Sequence, residues 1–251
     1  MLTMEELQRY DRQIMIYGFG EAGQEKLKKA RVFLAGVGGL GSPVAIYLAA
    51  AGIGTLRIAD HDKVELSNLN RQVLHWEENI GKKKTDSAAE KLGKLNTNEK
   101  IETIAETLTE ANISKLVGDS DLIVDAMDNL PTRYLLNRTA VEKGIPFFHG
   151  AVYGFEGRAM TVLPGKTACL NCLYHGATMP KEKFPVIGVT PAIIGCIQAT
   201  EVIKYIVGLG ELLTDRLLNY DALQMKFSEF KINRDPNCEV CGNKVKQMKK
   251  R

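Results

Sequence analysis

A Rossmann-like α/β fold, with a mostly parallel sheet flanked by helices, is what three features of this 251-residue chain predict. Short apolar runs alternate with helical stretches from residue 31 to residue 150, the pattern of a parallel sheet covered on both faces. Residues 31–62 read R-V-F-L-A-G-V-G-G-L-G-S-P-V-A-I-Y-L-A-A-A-G-I-G-T-L-R-I-A-D-H-D, that is, strand, glycine turn, helix, strand, acid. After Gly150 the rhythm changes to strands in an antiparallel meander, with one C-x-x-C pair at 169–172 and a second at 238–241. The expectation is a parallel sheet continued by antiparallel strands and closed by a four-cysteine zinc staple.

In chain order, residues 3–17 have helical spacing, with Leu7, Tyr10, Ile14 and Tyr17 on one face, Thr3 as N-cap and Glu6 three residues on. Gly18 and Gly20 end that helix, and 21–29 form a second. Residues 32–35 and 55–59 are strands, and 43–51 a small-residue helix that packs closely on the sheet. A polar loop spans 63–75, and 81–95 form an amphipathic helix with Ala88, Leu92 and Leu95 inward. Strands follow at 100–105, 121–126 and 145–150, with helices at 112–117 and 130–143 between them. Residues 158–163 start the meander, and 164–191 form a long turn-rich connection, a length that points to function or to a metal staple. Thr190 is expected to cap a helix with Pro191 at its first position, running to about Gly208. Residues 217–221 and 225–230 read as two antiparallel strands. One domain over 1–243 is expected, its nucleotide-binding half at about 1–150 and its second half at about 151–243.

Composition excludes several classes. The chain is 45% hydrophobic and 25% charged, as ordinary globular domains are. No apolar run reaches membrane-spanning length, and the polar, acidic residues 1–8 do not form a signal peptide, so a cytoplasmic location is expected. The net charge is +3, but Lys244, Lys246, Lys249, Lys250 and Arg251 supply five of the 33 basic residues, leaving a slight excess of the 30 acidic ones elsewhere. Residues 244–251 read as a basic flexible tail, solubilising rather than nucleic-acid binding.

The glycine turn carries the chemistry. Gly36, Gly38 and Gly41, with an additional Gly39, sit between strand and helix, and Asp60 ends the next strand 19 residues after Gly41. Glycines let backbone approach phosphate, a helix N-terminus offers unpaired N–H groups, and an acid at the second strand's tip accepts from ribose hydroxyls. Ligands of such sheets bind beyond the carboxyl ends of the strands. Asp60, Asp62, Asn68, Arg71, Lys84 and Asp128 all map to that edge. Arg71 and Lys84 suit phosphate oxygens, and Asp128 suits Mg²⁺. Simpler roles compete: Lys84 as a solvated lysine in K-K-K, and Asp128 as the N-cap of the next helix.

Cys169, Cys172, Cys238 and Cys241 point to a tetrahedral zinc held by four thiolates. The 65 residues between the pairs exceed any compact ribbon, so the metal would tie the chain end to the long connection. Asn171 and Gly242 are placed in turns whose N–H groups could face the sulfurs. A redox dithiol is the rival, but neither pair is expected at a helix start after a strand. Cys196 reads as a core thiol.

The motifs R-Y-D-R-Q at 9–13, G-V-G-G-L-G at 36–41, D-x-D at 60–62, S-N-L-N-R-Q at 67–72, G-x-x-K at 81–84, D-A-M-D-N at 125–129 and the two C-x-x-C pairs, in this order, resemble the MoeB/ThiF/HesA family. The resemblance runs from about residue 5 to residue 242. It implies binding of ATP and Mg²⁺ and adenylation of the C-terminal glycine of a small ubiquitin-like sulfur carrier ending in Gly-Gly. It implies that Gly39 and its neighbours approach the nucleotide and that Asp60 holds ribose. Asn68, Arg71 and Lys84 would grip the phosphates and Asp128 the magnesium, with Ser67 and Asn129 also in the nucleotide site. Arg12 would reach the partner's phosphate site in a homodimer. Relatives that form a covalent intermediate carry a cysteine in the loop before the last helix. Residues 174–191 hold none, so adenylation alone, the MoeB-like mode, is expected; a fused rhodanese domain is not. An NAD- or FAD-dependent oxidoreductase, a tRNA threonylcarbamoyladenosine dehydratase-like enzyme and a non-catalytic subunit are the alternatives.

Overall fold

The structure, a computed structural model, describes residues 1–178 and 184–242; the basic tail at 244–251 lies outside them. Helices α1 (Met4–Arg9), α2 (Asp11–Ile14) and α3 (Gly20–Lys29) lead into β1 (Arg31–Ala35). Then come α4 (Gly41–Ala51), β2 (Thr55–Ala59), α5 (Lys84–Leu95), β3 (Lys100–Ile104), α6 (Ile113–Val117), β4 (Leu122–Asp125), α7 (Leu130–Lys143) and β5 (Phe147–Tyr153). The chain continues through β6 (Glu156–Val162), α8 (Leu170–Tyr174), α9 (Val189–Val207), β7 (Arg216–Asp221) and β8 (Lys226–Lys231). One eight-stranded sheet runs β3-β2-β1-β4-β5-β6-β7-β8. Neighbours are parallel from β3 to β5 and antiparallel from β5 to β8. Strand order therefore reverses between β1 and β4, which pair Ala35 with Asp125 at their carboxyl ends.

Alternation along the strands builds two cores. Val32, Leu34, Leu56, Ile58 and Val124 face one side with α4 and α9, while Phe33, Ala35, Ile123, Phe147 and Val162 face the other with α7, α8 and the four paired cysteines. α4 is apolar almost all round because it lies between the sheet and α9.

Several local expectations need correction. The N-terminal segment is two short helices, not one. The Thr3–Glu6 capping box forms as expected, but the chain turns at Tyr10, whose ring is buried so close to Gly52 that a Cβ there would lie 2.6 Å from it. Its hydroxyl accepts from Asn96 Nδ2 at 2.8 Å, and Tyr17, expected on the same face, is fully exposed. α5 starts at Lys84 rather than residue 81, and Leu95 is exposed because Asn96 turns inward instead, donating to Ala49 O. α9 begins at Val189 with Gly188 as N-cap. Thr190 is no cap; its hydroxyl donates to Gly154 O at 3.2 Å. The long connection holds α8, whose N-cap is Cys169.

Glu99, between α5 and β3, places both carboxylate oxygens in the interior. Burial pushes its carboxyl up to about 9, and the Ile53 backbone and Arg9 offset only part of that. The folded state thus holds this proton more tightly than the unfolded chain, so the contribution to stability is full below about pH 4.5 and lost as pH rises toward 9. Glu99→Gln is expected to stabilise the fold by on the order of 1–3 kcal/mol near pH 8 and by little near pH 4.5. Urea unfolding at the two pH values checks this; an equal difference at both would refute it.

Candidate functional site

The carboxyl ends of β1 and β4 form the crevice in which such sheets bind ligands. Gly36 leaves β1 with φ +89°, and a Cβ there would lie 2.7 Å from Ala126 O. A Cβ at Gly41 would lie 2.0 Å from Gly36 O, so α4 can begin this close to the turn only through a glycine. Gly38 and Gly39 behave differently. A Cβ at Gly38 would meet only the Gln72 amide, at 3.4 Å, and one at Gly39 would touch Pro191 at 3.3 Å and Arg71 at 3.6 Å. Gly39 is therefore also a packing position against the start of α9, not solely room for a ligand. Gln72 is buried and its Oε1 has no partner within the described residues. A buried acceptor without a partner, beside a glycine turn, is a group that a bound ligand can satisfy.

Asp60 is tied into the turn. Its Oδ2 accepts from Val37 N–H and its Oδ1 from Asp62 N–H, each at 2.9 Å. Each oxygen retains a lone pair, so ribose hydroxyls are not excluded. Asp62 Oδ2 lies 2.8 Å from Lys84 Nζ, and Lys84 N–H donates to Asp62 O at 2.9 Å. Lys84 is only 5% exposed, which rules out the solvated-lysine role.

The 67–72 segment is a compact, self-bonded loop. Asn68 is buried, and its Oδ1 accepts from Glu65 N–H at 3.1 Å. The Ser67 hydroxyl donates to Glu65, and Ser67 O accepts from Arg71 Nη1 at 2.7 Å. The Arg71 stem passes Gly39, its Cγ 3.6 Å from where a Cβ would lie, and that bond holds the guanidinium beyond it.

Past β4, Asn129 rather than Asp128 caps α7, accepting from Thr132 N–H at 3.0 Å. Asp128 is left exposed, bonded among the described residues only to the Asn129 side chain at 3.4 Å. A carboxylate released from capping at the mouth of the crevice fits a hydrated Mg²⁺. The loop is fixed from below: Asp125 Oδ1 accepts from Met127 N–H at 3.1 Å, and Arg133 Nε donates to Met127 O at the same distance. Asp125 Oδ2 lies 2.7 Å from His149 Nδ1, whose Nε2 reaches Tyr174 Oη at 3.4 Å. Both members of that pair are fully buried, and burial pushes the imidazole below its usual range.

Asp125, Arg133, His149, Gln72 and His75 were not singled out from the sequence. A histidine inside the apolar run Phe147–Phe148–His149 was the one available signal, since a buried polar group implies a partner. Arg12 stands apart from the other site residues: it is 92% exposed on α2, and its ion pair among the described residues is with adjacent Asp11, at 4.0 Å.

The cysteines do converge. Sγ separations are 3.7 Å for Cys169–Cys238, 3.5 Å for Cys172–Cys241 and 4.0 Å for Cys169–Cys172, and all four sulfurs lie within 4.8 Å of one another. Four thiolates at about 2.3 Å from one zinc stand roughly 3.8 Å apart. Four buried sulfurs this close need a cation to ionise together, and the donor set is that of zinc. The N–H directed at sulfur is that of Asp235, 3.4 Å from Cys172 Sγ; Asn171 lies within α8 and Gly242 N–H bonds Cys238 O, contrary to expectation. Cys169 does start a helix, but a four-sulfur cluster is not a dithiol pair. Cys196 is not a core thiol: it is half-buried at a surface groove with Gln13, Tyr47 and Thr200.

Comparison with known proteins agrees with this geometry. The ThiF family model matches residues 10–240. The SAMP-activating enzyme E1 of Haloferax volcanii is 43% identical over 246 residues, spanning 96% of this chain and 91% of the relative. The sulfur carrier protein adenylyltransferase of Thermus thermophilus is 41% identical over 255 residues, spanning 98% and 94%. Among solved structures, E. coli MccB with AMPCPP and MccA superposes with a TM-score of 0.85 at 28% identity, over 93% of this chain and 74% of that one. Sequence and fold match nearly end to end, and the chain belongs to the ThiF family.

Proposed function

We propose that this chain is an ATP-dependent adenylyltransferase that activates the C-terminal glycine carboxylate of a small ubiquitin-like sulfur carrier. The observation that carries the reading is Asp128, freed from capping by Asn129 and set at the mouth of a crevice whose other wall is the glycine turn. Relatives named for the same activity, matched over nearly their whole length, support it.

A carboxylate oxygen of the carrier attacks the α-phosphorus of ATP, the bond to the bridging oxygen breaks, and its electron pair leaves on pyrophosphate. No proton moves, so the enzyme's task is alignment and neutralisation of negative charge. Gly36, Gly38, Gly39 and Gly41 shape the backbone floor, and Asp60 meets the ribose. Arg71 and Lys84 receive phosphate oxygens, and Asp62, Ser67 and Asn68 hold those cations and their loop in place. Mg²⁺ bound at Asp128 would lower the charge that the attacking carboxylate meets, with Asn129 beside it in the nucleotide site. Zn²⁺ held by Cys169, Cys172, Cys238 and Cys241 has four protein ligands and therefore a structural role. Residues 174–191 hold no cysteine, which supports adenylation without a covalent carrier intermediate.

The 151–243 half fits carrier binding, since Tyr153, Phe155, Leu223, Phe227 and Phe230 expose apolar surface on the antiparallel end of the sheet. Exposed Arg12 fits a homodimer in which it completes the partner's phosphate site. No helix among the described residues is long and apolar enough to cross a membrane, in keeping with a cytoplasmic place. An NAD or FAD enzyme would explain Asp60 but neither buried Lys84 nor the cysteine cluster.

ATP–pyrophosphate exchange that depends on a carrier ending in Gly-Gly tests the activity. Asp128→Ala is expected to lower it about 100-fold or more with an unchanged circular dichroism spectrum; retained exchange would remove the metal role. Mixing Arg12→Ala and Asp128→Ala subunits in equal amounts should recover about a quarter of wild-type activity, because half of the dimers then hold one intact site of two. No recovery would mean that Arg12 does not act in trans. Metal analysis is expected to find one zinc per chain. Cys172→Ser should lose it together with on the order of 3 kcal/mol of stability, and a metal-free wild type of equal stability would refute the staple.

A further inference from the structure

Both backbone polar groups of Val37, the residue between Gly36 and Gly38, are held by side chains. Its N–H donates to Asp60 Oδ2, and its carbonyl lies 2.9 Å from His75 Nε2. A carbonyl only accepts, so His75 carries its proton on Nε2. Nδ1 is then an acceptor, and the Ser87 hydroxyl, 2.9 Å away, donates to it. Ser87 Oγ accepts in turn from Lys91 Nζ at 3.0 Å. Lys91 also donates to Asn79 Oδ1 and stands 4.6 Å over the Trp76 ring. Ammonium, hydroxyl, imidazole and carbonyl therefore form one chain in which every proton position follows from the next.

The chain is buried throughout, with Val37 and Ser87 at 0%, His75 at 3% and Lys91 at 8% exposure. Burial pushes His75 below its usual pKa; the bond to the Val37 carbonyl and the charge of Asp60 oppose this, and the charges of Lys84 and Lys91 add to it. Lys84, Ser87 and Lys91 share one face of α5, so one helix face presents the site lysine and braces the turn. Elsewhere on the turn, Gly36 N–H donates to Ala59 O at 2.8 Å, and Ser42 reaches Gly38 O through its N–H and Oγ at 2.9 and 2.7 Å, its Oγ standing 3.5 Å from Val37 O. Gly39 makes no hydrogen bond within the described residues.

We propose that His75 is a positioning residue of the nucleotide site: as the Nε2–H tautomer, locked by Ser87 and Lys91, it fixes the Val37 carbonyl and thereby the direction in which the Gly38–Gly39 peptide groups meet the nucleotide. It rests on the reading of this crevice as the ATP site. A core histidine that merely satisfies its neighbours would serve stability alone. A positioning residue sets nucleotide affinity beyond any effect on stability.

Calorimetric titration of the full chain with AMPCPP and Mg²⁺, without carrier, separates these. His75→Leu keeps bulk but loses the donor and is expected to weaken binding about tenfold. His75→Gln, whose amide N–H can reach the same carbonyl, is expected to stay within about threefold of wild type. Wild-type affinity in His75→Leu, or equal losses in both variants that track their urea stability, would overturn the proposal. Should His75→Leu fail to fold, ¹⁵N NMR of the imidazole in the wild-type protein decides. A neutral Nε2–H tautomer that persists in Lys91→Arg but becomes mixed in Lys91→Met is expected, and an Nδ1–H tautomer in the wild type would overturn it. If the wild type itself fails to bind AMPCPP, the ATP reading of the crevice falls, while the tautomer measurement still reports on the brace.

Discussion

The constraint on which the site depends is the contact among Gly36, Gly41 and Ala126. Three backbone segments, the exit of β1, the start of α4 and the exit of β4, meet with no room for a Cβ at either glycine. Because β1 and β4 are the neighbours at which strand order reverses, this contact sets the width of the crevice. Three polar parts of the site are hung from it: Asp60 through Val37 N–H, His75 through Val37 O, and the Asp128 loop through the residues that follow Asp125.

Charge is distributed on the same scaffold according to what each position can neutralise. Lys84 is buried with Asp62 as its counterion, so a phosphate that takes its place beside the lysine exchanges one anionic partner for another instead of meeting a bare buried charge. Arg71 is held by a carbonyl and an amide, not by a carboxylate, which leaves its charge available to an anion. Asp128 has no cation near it among the described residues, the condition in which a carboxylate binds a metal.

The two halves of the sheet are linked below this surface. α8 carries Cys172 and Tyr174; Leu170 N–H donates to Asn137 Oδ1 on α7, and Tyr174 reaches His149, which pairs with Asp125 under the Met127 loop. The cysteine cluster that fastens the chain end thus also steadies the helix behind the crevice. It does so through buried, paired polar groups, which specify geometry more than they add stability.

Local sequence determined a large share of this. Period-two and helical patterns placed the strands and most helices, the Thr3–Glu6 capping box, and the glycine turn with Asp60, because these signals act over a few residues. The motif order, read as a resemblance, anticipated the family. What only the tertiary structure decided involves residues far apart in the chain. Burial of Lys84, the release of Asp128 by Asn129 and the break at Tyr10 against Gly52 all depend on long-range packing, whereas the two C-x-x-C pairs had already announced that the four cysteines converge. His75 looked like one more polar loop residue. Its role emerged only when the fold set its ring between Val37 and Ser87, since a hydrogen-bond partner 38 residues away leaves no periodic trace in sequence.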